Sequence, residues 1–251
     1  MFCEKMRLAK FLSSRNVCSR RDAEKFIKNG EVSVNGSIIT TPVCFVDGQD
    51  SIVFKGEPVL SSDKSASIWL YYKPVGEITT HKDPQHRTTV FEAVKKYGIG
   101  RVISIGRLDI NSEGLLLLTD DSALAFQMEK SNDIVRTYKV RLFGSIDLKK
   151  FLSCCHGADT SQSKFNIAEV CIDGLRYKPF IVEFEAPLSA ILGTHKNFWC
   201  SFRLIEGKNR EIRKIANFWG AQVSRLIRTE YGTFRLDNMK PGEIKRFSPC
   251  P

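Results

Sequence analysis

The sequence predicts an α+β chain in two parts: a small helical-hairpin unit, then a larger domain built on a mainly antiparallel, mixed sheet. Three observations lead there. Beyond residue 67, strand-like segments (68–72, 101–105, 115–118, 135–143, 180–185, 198–205 and 222–229) outnumber helical patterns (89–97, 121–130, 147–153 and 209–219). Their connections suit hairpins better than the strict alternation of a doubly wound sheet. Ser61-Ser62-Asp63-Lys64-Ser65-Ala66-Ser67 is polar and lacks apolar periodicity, as a linker does. The residues ahead of it carry an apolar face of their own. We therefore expect one unit over 1–60, a linker over 61–67 and a second domain over 68–251.

In the first unit, Leu8, Phe11 and Leu12 recur at helical spacing. Ser19 is placed as an N-cap, with Asp22 three residues on, and opens a second helix whose apolar face is Ala23, Phe26 and Ile27. Gly30 closes it. Arg21, Lys25 and Lys28 share its other side, with Arg20 beside them. Val32-Ser33-Val34 and Ile38-Ile39 flank Asn35-Gly36, a pair that two-residue hairpin turns favour.

Composition is that of a globular protein, 42% hydrophobic and 26% charged. No apolar run approaches the roughly 20 residues that span a bilayer. With no leader-like segment at Met1 to Lys10, a cytoplasmic protein is expected. Eight cysteines (3, 18, 44, 154, 155, 171, 200, 250) form no Cys-x-x-Cys pair, and the four histidines are not at ligand spacings. Cys154-Cys155-His156 is the nearest approach to a metal site; free thiols in a reducing compartment are the better reading. The net charge of +10 is concentrated at the two ends, with +5 over residues 1–30, +6 over 207–251 and −1 between them. Two basic surfaces point to a polyanion, nucleic acid ahead of membrane.

Five stretches stand out as motifs. Gly106 to Asp121 places Arg107 and Asp109 ahead of the apolar run Leu115–Leu118, so a core strand anchors a polar loop. If that loop is extended, the guanidinium and carboxylate share a side, making either a structural ion pair or a held, ionised acid. In the alternating strand Arg136-Thr137-Tyr138-Lys139-Val140, Tyr138 is either core or a ring for stacking on a base. After Gly207-Lys208-Asn209, a helix would bury Ile212, Ile215, Ala216 and Trp219, turn Arg210 and Lys214 outward and leave Arg213 at the boundary. Val223 to Thr229 then reads as a strand containing Leu226. Earlier, Tyr71-Tyr72-Lys73-Pro74-Val75-Gly76 is a strand ending in a turn, where Lys73 has a structural or RNA-facing place.

These motifs, in this order, resemble the RsuA/RluB/RluE/RluF family of ribosomal RNA pseudouridine synthases, and residues 6–59 resemble the RNA-binding module of small-subunit ribosomal protein S-four. Lys82-Asp83-Pro84, Thr89-Val90-Phe91 and Val223 to Gly232 look most like the RluB subgroup. The resemblance implies isomerisation of uridine to pseudouridine in ribosomal RNA, most readily of the large subunit, without cofactor or metal, by a monomer. Asp109 takes the family's catalytic place, and Arg107 that of the arginine holding the flipped-out uridine. Tyr138 takes that of the tyrosine packed on uracil, Leu226 that of the apolar residue beside the ring, and Arg213 that of the arginine paired with the aspartate. Lys208, Arg210 and Lys214 are then expected on phosphates, as are Arg20, Arg21, Lys25 and Lys28. Residues 155–197 match poorly, and Cys154 to His156 and Leu188 to His195 read as lineage-specific loops. Three alternatives stay open: the same reaction on small-subunit RNA, a non-catalytic ribosome-assembly factor, and a glycosidase. The last needs a second carboxylate, and Glu113 nearby reads as structural.

Overall fold

The computed structural model describes residues 5–59, 66–131, 133–155, 159–192 and 197–248. Helices Leu8–Ser14 and Arg20–Lys28 pack through Leu8, Leu12, Ala23 and Ile27, all fully buried. The Ser19 hydroxyl accepts the Asp22 amide at 3.1 Å, the expected cap. Asn35 (φ 50°) and Gly36 (φ 80°) both take the left-handed conformation that a tight hairpin needs, and join Val32–Val34 to Ser37–Ile38. Ile52–Phe54 and Glu57–Pro58 complete a four-stranded sheet. Val32, Val46 and Ile52 from these strands and their neighbours close a core belonging to this unit alone. Of the expected linker, 61–65 lie outside the described residues; Ser67 is anchored, its amide donating to Asp120 at 2.8 Å.

The larger sheet has ten strands among the described residues. Its main path runs Lys164–Ile167, Phe180–Phe184, Phe198–Leu204, Arg136–Gly144, Ala221–Tyr231, Glu113–Thr119, Ile68–Lys73 and Ile244–Phe247. All neighbours on this path are antiparallel except Ala221–Tyr231 and Glu113–Thr119, which run parallel with Ile227 opposite Glu113 and Arg228 opposite Gly114. The leucine run explains itself here. Leu116 and Leu118 enter the core that contains Trp219 and Phe151, and Leu115 and Leu117 enter the core on the other face with Ile105 and Tyr231. A strand covered on both sides reads as a continuous apolar run.

Helix Glu211–Phe218 lays Ile212, Ile215 and Ala216 into the first core, with Trp219 beyond its end. The helices Val90–Lys95, Ser122–Lys130 and Leu148–Ser153 fall where the periodicity puts them. The loop expected over Leu188 to His195 needs correction at its start, and the stretch before it, for which the resemblance implied nothing, holds strands. Lys164–Ile167 is an edge strand, Val170–Ile172 pairs with Leu175–Tyr177, and Leu188–Ile191 is a short helix with Leu188 buried. Each packs apolar side chains on the sheet that this short-strand sequence hides. His156 and 193–196 lie outside the described residues. The six described cysteines are free. Among the described residues no helix is long and apolar enough to cross a membrane.

Candidate active site

The parallel seam opens into a cavity of about 430 Å³ that collects residues from four separated stretches of chain. Gly106, Arg107, Leu108, Asp109 and Ser112 come from the loop before Glu113–Thr119; Arg136 and Tyr138 come from the neighbouring strand. Gly207 to Arg213 enter from the helix start, and Leu226, Arg228 and Tyr231 from the long strand. All five residues expected around the base (Arg107, Asp109, Tyr138, Arg213, Leu226) therefore lie on one wall or another of a single cavity. Six of the lining residues are lysine or arginine and three are acidic, so the cavity attracts an anion.

The loop carrying Asp109 is held by its backbone. Thr79 Oγ1 donates to the Leu108 carbonyl at 3.0 Å, and the Ser112 amide to that of Asp109 at 3.0 Å. The Gly76 amide donates to the Ile110 carbonyl at 2.9 Å, Arg213 Nη2 to that of Asn111 at 2.8 Å, and Lys73 Nζ to that of Ser112 at 2.8 Å. Five successive carbonyls are thus satisfied by five different donors. The loop cannot rotate a peptide without losing one, and the Asp109 side chain, 36% exposed, lines the cavity.

Several expected contacts differ. The 107–109 segment is loop rather than strand, and Arg107 is exposed at the cavity rim with no ion pair to Asp109. The guanidinium that approaches the carboxylate is Arg210, at 3.9 Å. Arg210 begins its helix at φ 53°, a left-handed conformation costing a non-glycine residue about 1 kcal/mol, which turns the side chain toward Asp109. Arg213 instead clamps two carbonyls, Asn111 at 2.8 Å and Val223 at 3.2 Å. Burial and then Arg210 draw its pKa below the ordinary arginine value, with nearby Asp109 opposing them. Lys208 is exposed yet engaged, bridging Glu206 at 3.2 Å and donating to the Arg176 carbonyl. Lys214 lies in an adjoining groove with Arg210, Arg213 and Gln222.

Tyr138 is 8% exposed and shares its face with Val140 and Leu142, as alternation requires. A register shift between Thr137 and Tyr138, against the partner strand, sits at this point and re-aims the ring. Glu113 is structural, as expected: Arg225 grips it at 2.6 and 3.1 Å, and the Tyr72 hydroxyl donates at 3.1 Å. On the N-terminal unit, Arg20, Arg21, Lys25 and Lys28 are all exposed along one helix.

Sequence reasoning missed Glu129, whose carboxylate accepts the Gly106 amide at 2.7 Å. It also missed the buried arginines Arg136 and Arg228, which sit in alternating strands where a core residue would be expected. Glu211 was missed too; burial pushes its carboxyl up to about 7, against the Lys208 amide that it accepts at 2.9 Å.

Lys73 is fully buried, so it has no RNA-facing place. Burial draws its pKa down to about 8. Between that value and the unfolded value of roughly 10.4, the unfolded chain binds more protons, so stability from this group rises with pH across the window, by about 3 kcal/mol in all. The difference in urea midpoint between wild type and Lys73→Met is accordingly expected to shift in favour of the wild type from pH 7.5 to 10.5. A pH-independent difference would contradict this.

Residues 67–218 match the family model described as RNA pseudouridylate synthase, and residues 6–52 match that of the S4 domain. The chain is 48% identical over 240 residues to a Rickettsia bellii protein named as an uncharacterized RNA pseudouridine synthase, covering 95% of both. It belongs to the RNA pseudouridine synthases. Within them it fits the RsuA/RluB family: a Salmonella typhi protein named ribosomal large subunit pseudouridine synthase B is 34% identical over 243 residues, covering 94% of this chain and 76% of that one. A crystal structure titled as a pseudouridylate synthase shares the fold, with a TM-score of 0.57 at 23% identity over 97% of this synthase and 96% of that chain. The synthase is an isomerase, and the α+β architecture of an S4 unit followed by a mostly antiparallel catalytic sheet is the expected one.

Proposed function

We propose that this synthase isomerises a uridine of large-subunit ribosomal RNA, with Asp109 as its catalytic carboxylate. The observation that carries the reading is the cavity: one half-exposed carboxylate on a loop with five tied carbonyls, lining the same space as a buried tyrosine and leucine among six cations. The likeness to a large-subunit synthase supports the substrate.

In the reaction the bond from C1′ to N1 breaks, the uracil turns in place, C1′ bonds to C5, the C5 proton leaves and N1 takes one up. Asp109 either attacks C1′ as N1 leaves and is displaced when C5 bonds there, or takes up the C5 proton once that bond has formed; both need the carboxylate close and fixed. Arg210 holds its charge in place, and Arg213 keeps its loop. Tyr138 stacks on the flipped base, Leu226 packs beside it, and Arg107 at the rim holds the nucleotide out of its helix. Lys208, Arg210 and Lys214 line the path of the backbone. Residues 1–60, with Arg20, Arg21, Lys25 and Lys28 outward, form the second RNA grip, joined by the 61–67 linker to a catalytic domain over 68–251. The enzyme acts as a cytoplasmic monomer during ribosome assembly.

Mapping of pseudouridine in large- and small-subunit RNA fragments after treatment with wild type tests the substrate. Conversion at a large-subunit uridine is expected; conversion confined to small-subunit fragments, or tight binding without conversion, overturns it. Arg21→Ala combined with Lys25→Ala is expected to weaken RNA binding and lower the slope of log affinity against log salt by about 1 to 2. An unchanged slope removes that helix from the RNA surface.

A further inference from the structure

Arg228 is 2% exposed; its Nε donates to the Leu115 carbonyl at 2.7 Å, and its guanidinium lies 5.3 Å from the Tyr231 ring centroid. Its Nη2 is buried without any hydrogen bond. Ser112, 1% exposed, has a buried hydroxyl in the same condition. Both residues line the Asp109 cavity beside the parallel seam, where Arg228 pairs with Gly114, two residues beyond Ser112. Of the six buried side-chain atoms left without a partner among the described residues, four belong to cavity-lining residues. Buried donors left unpaired are costly, a buried guanidinium most of all. Three of the four, Ser112 Oγ, Arg213 Nε and Arg228 Nη2, are donors and form a hydrogen-bonding surface waiting for acceptors; the fourth, Glu211 Oε1, is a carboxylate oxygen.

We infer that Arg228, assisted by the Ser112 hydroxyl, binds a carbonyl oxygen of the target uracil and stabilises the charge that gathers there when the glycosidic bond breaks. The inference rests on the pseudouridine-forming reading of Asp109. When C1′–N1 cleaves, the bonding electron pair stays with uracil and spreads from N1 onto O2 and O4. The base is then an anion until C5 bonds to C1′, the C5 proton departs and N1 is protonated. A buried, fixed guanidinium is suited to that moment, because it is oriented before the charge appears. Arg107, Arg210 and Lys208 are exposed and suit phosphates; Arg228 is sheltered and suits the base.

The test uses the full chain and an RNA fragment that wild type converts, made with uridine, 2-thiouridine or 4-thiouridine at the target. Sulfur is the weaker hydrogen-bond acceptor, so one thio substitution marks the contacted carbonyl. Ser112→Ala and Arg228→Lys are expected to slow single-turnover conversion of the uridine RNA, about 10-fold for the serine and about 100-fold for the arginine, on the scale of a lost oxyanion donor. RNA affinity should stay within about twofold, since a contact made mainly in the transition state contributes little to ground-state binding. The thio substitution that slows wild type should slow Arg228→Lys much less. Equal thio effects in wild type and both variants, or wild-type rates in the variants, would show that Arg228 only braces Leu115. Ser112→Ala keeps the question open to measurement if Arg228→Lys melts early. Wild-type conversion of the unmodified fragment checks the parent reading separately.

Discussion

Asp109→Asn is expected to lower pseudouridine formation by about 10³-fold or more while leaving RNA affinity within about threefold, on the scale of losing a catalytic carboxylate with its binding surface intact. The amide has the shape of the carboxylate and lacks its charge. The loop should keep its course, because its five ties run through backbone carbonyls and not through the Asp109 side chain. The lost ion pair to Arg210 is half exposed, so its removal costs stability no more than about 1 kcal/mol. Quantifying pseudouridine in the treated fragment, with filter binding on the same preparation, checks both halves. Residual activity above about a tenth of wild type would move the chemistry to another residue.

Gly114→Ala is expected to be the most damaging small substitution in the catalytic domain. Gly114 has φ 105°, and a Cβ there would lie 2.3 Å from the Arg228 carbonyl oxygen and 2.7 Å from its amide nitrogen. Those neighbours are backbone, so relief requires the parallel strands to part. We expect destabilisation of about 3 to 5 kcal/mol, combining overpacking with a disfavoured conformation. At roughly 2 to 4 °C per kcal/mol for a chain of this size, the melting temperature should fall by about 6 to 20 °C. Activity should fall further than stability alone explains, since Ser112 and Arg228 flank the seam. A melting temperature within about 2 °C of wild type would mean that the strands yield easily.

Much of this molecule was legible in its sequence, for physical reasons. Asn35-Gly36 is tied to one turn type, and the Ile212, Ile215, Ala216 and Trp219 stripe to one helical face, so both could be read locally. Leu115 to Leu118 declared a strand covered on two sides. What escaped depends on partners distant in sequence. Nothing near Arg213 says that its guanidinium reaches the Asn111 carbonyl rather than the Asp109 carboxylate. The same holds for Arg210, which an unusual φ angle swings inward when helical periodicity points it away. For Lys73 a structural and an RNA-facing place both stayed open, because what decides for burial is a carbonyl 39 residues on, that of Ser112. Within 155–197 Phe180–Phe184 was legible as the strand-like run 180–185, while Lys164–Ile167, Val170–Ile172 and Leu175–Tyr177, at three or four residues, are too short to show alternation.

The pairing of Ile227 with Glu113 and Arg228 with Gly114 also sets an order in time. The N-terminal unit closes its own core with residues no later than Val59. The cavity cannot exist until the strand Ala221–Tyr231 has been synthesised and has crossed back to a partner more than a hundred residues earlier. At about 5 to 20 residues per second, that interval is on the order of ten to thirty seconds. A nascent chain can therefore hold a folded basic module long before it holds a catalytic centre, and premature contact with RNA would find a binder with no means to alter it.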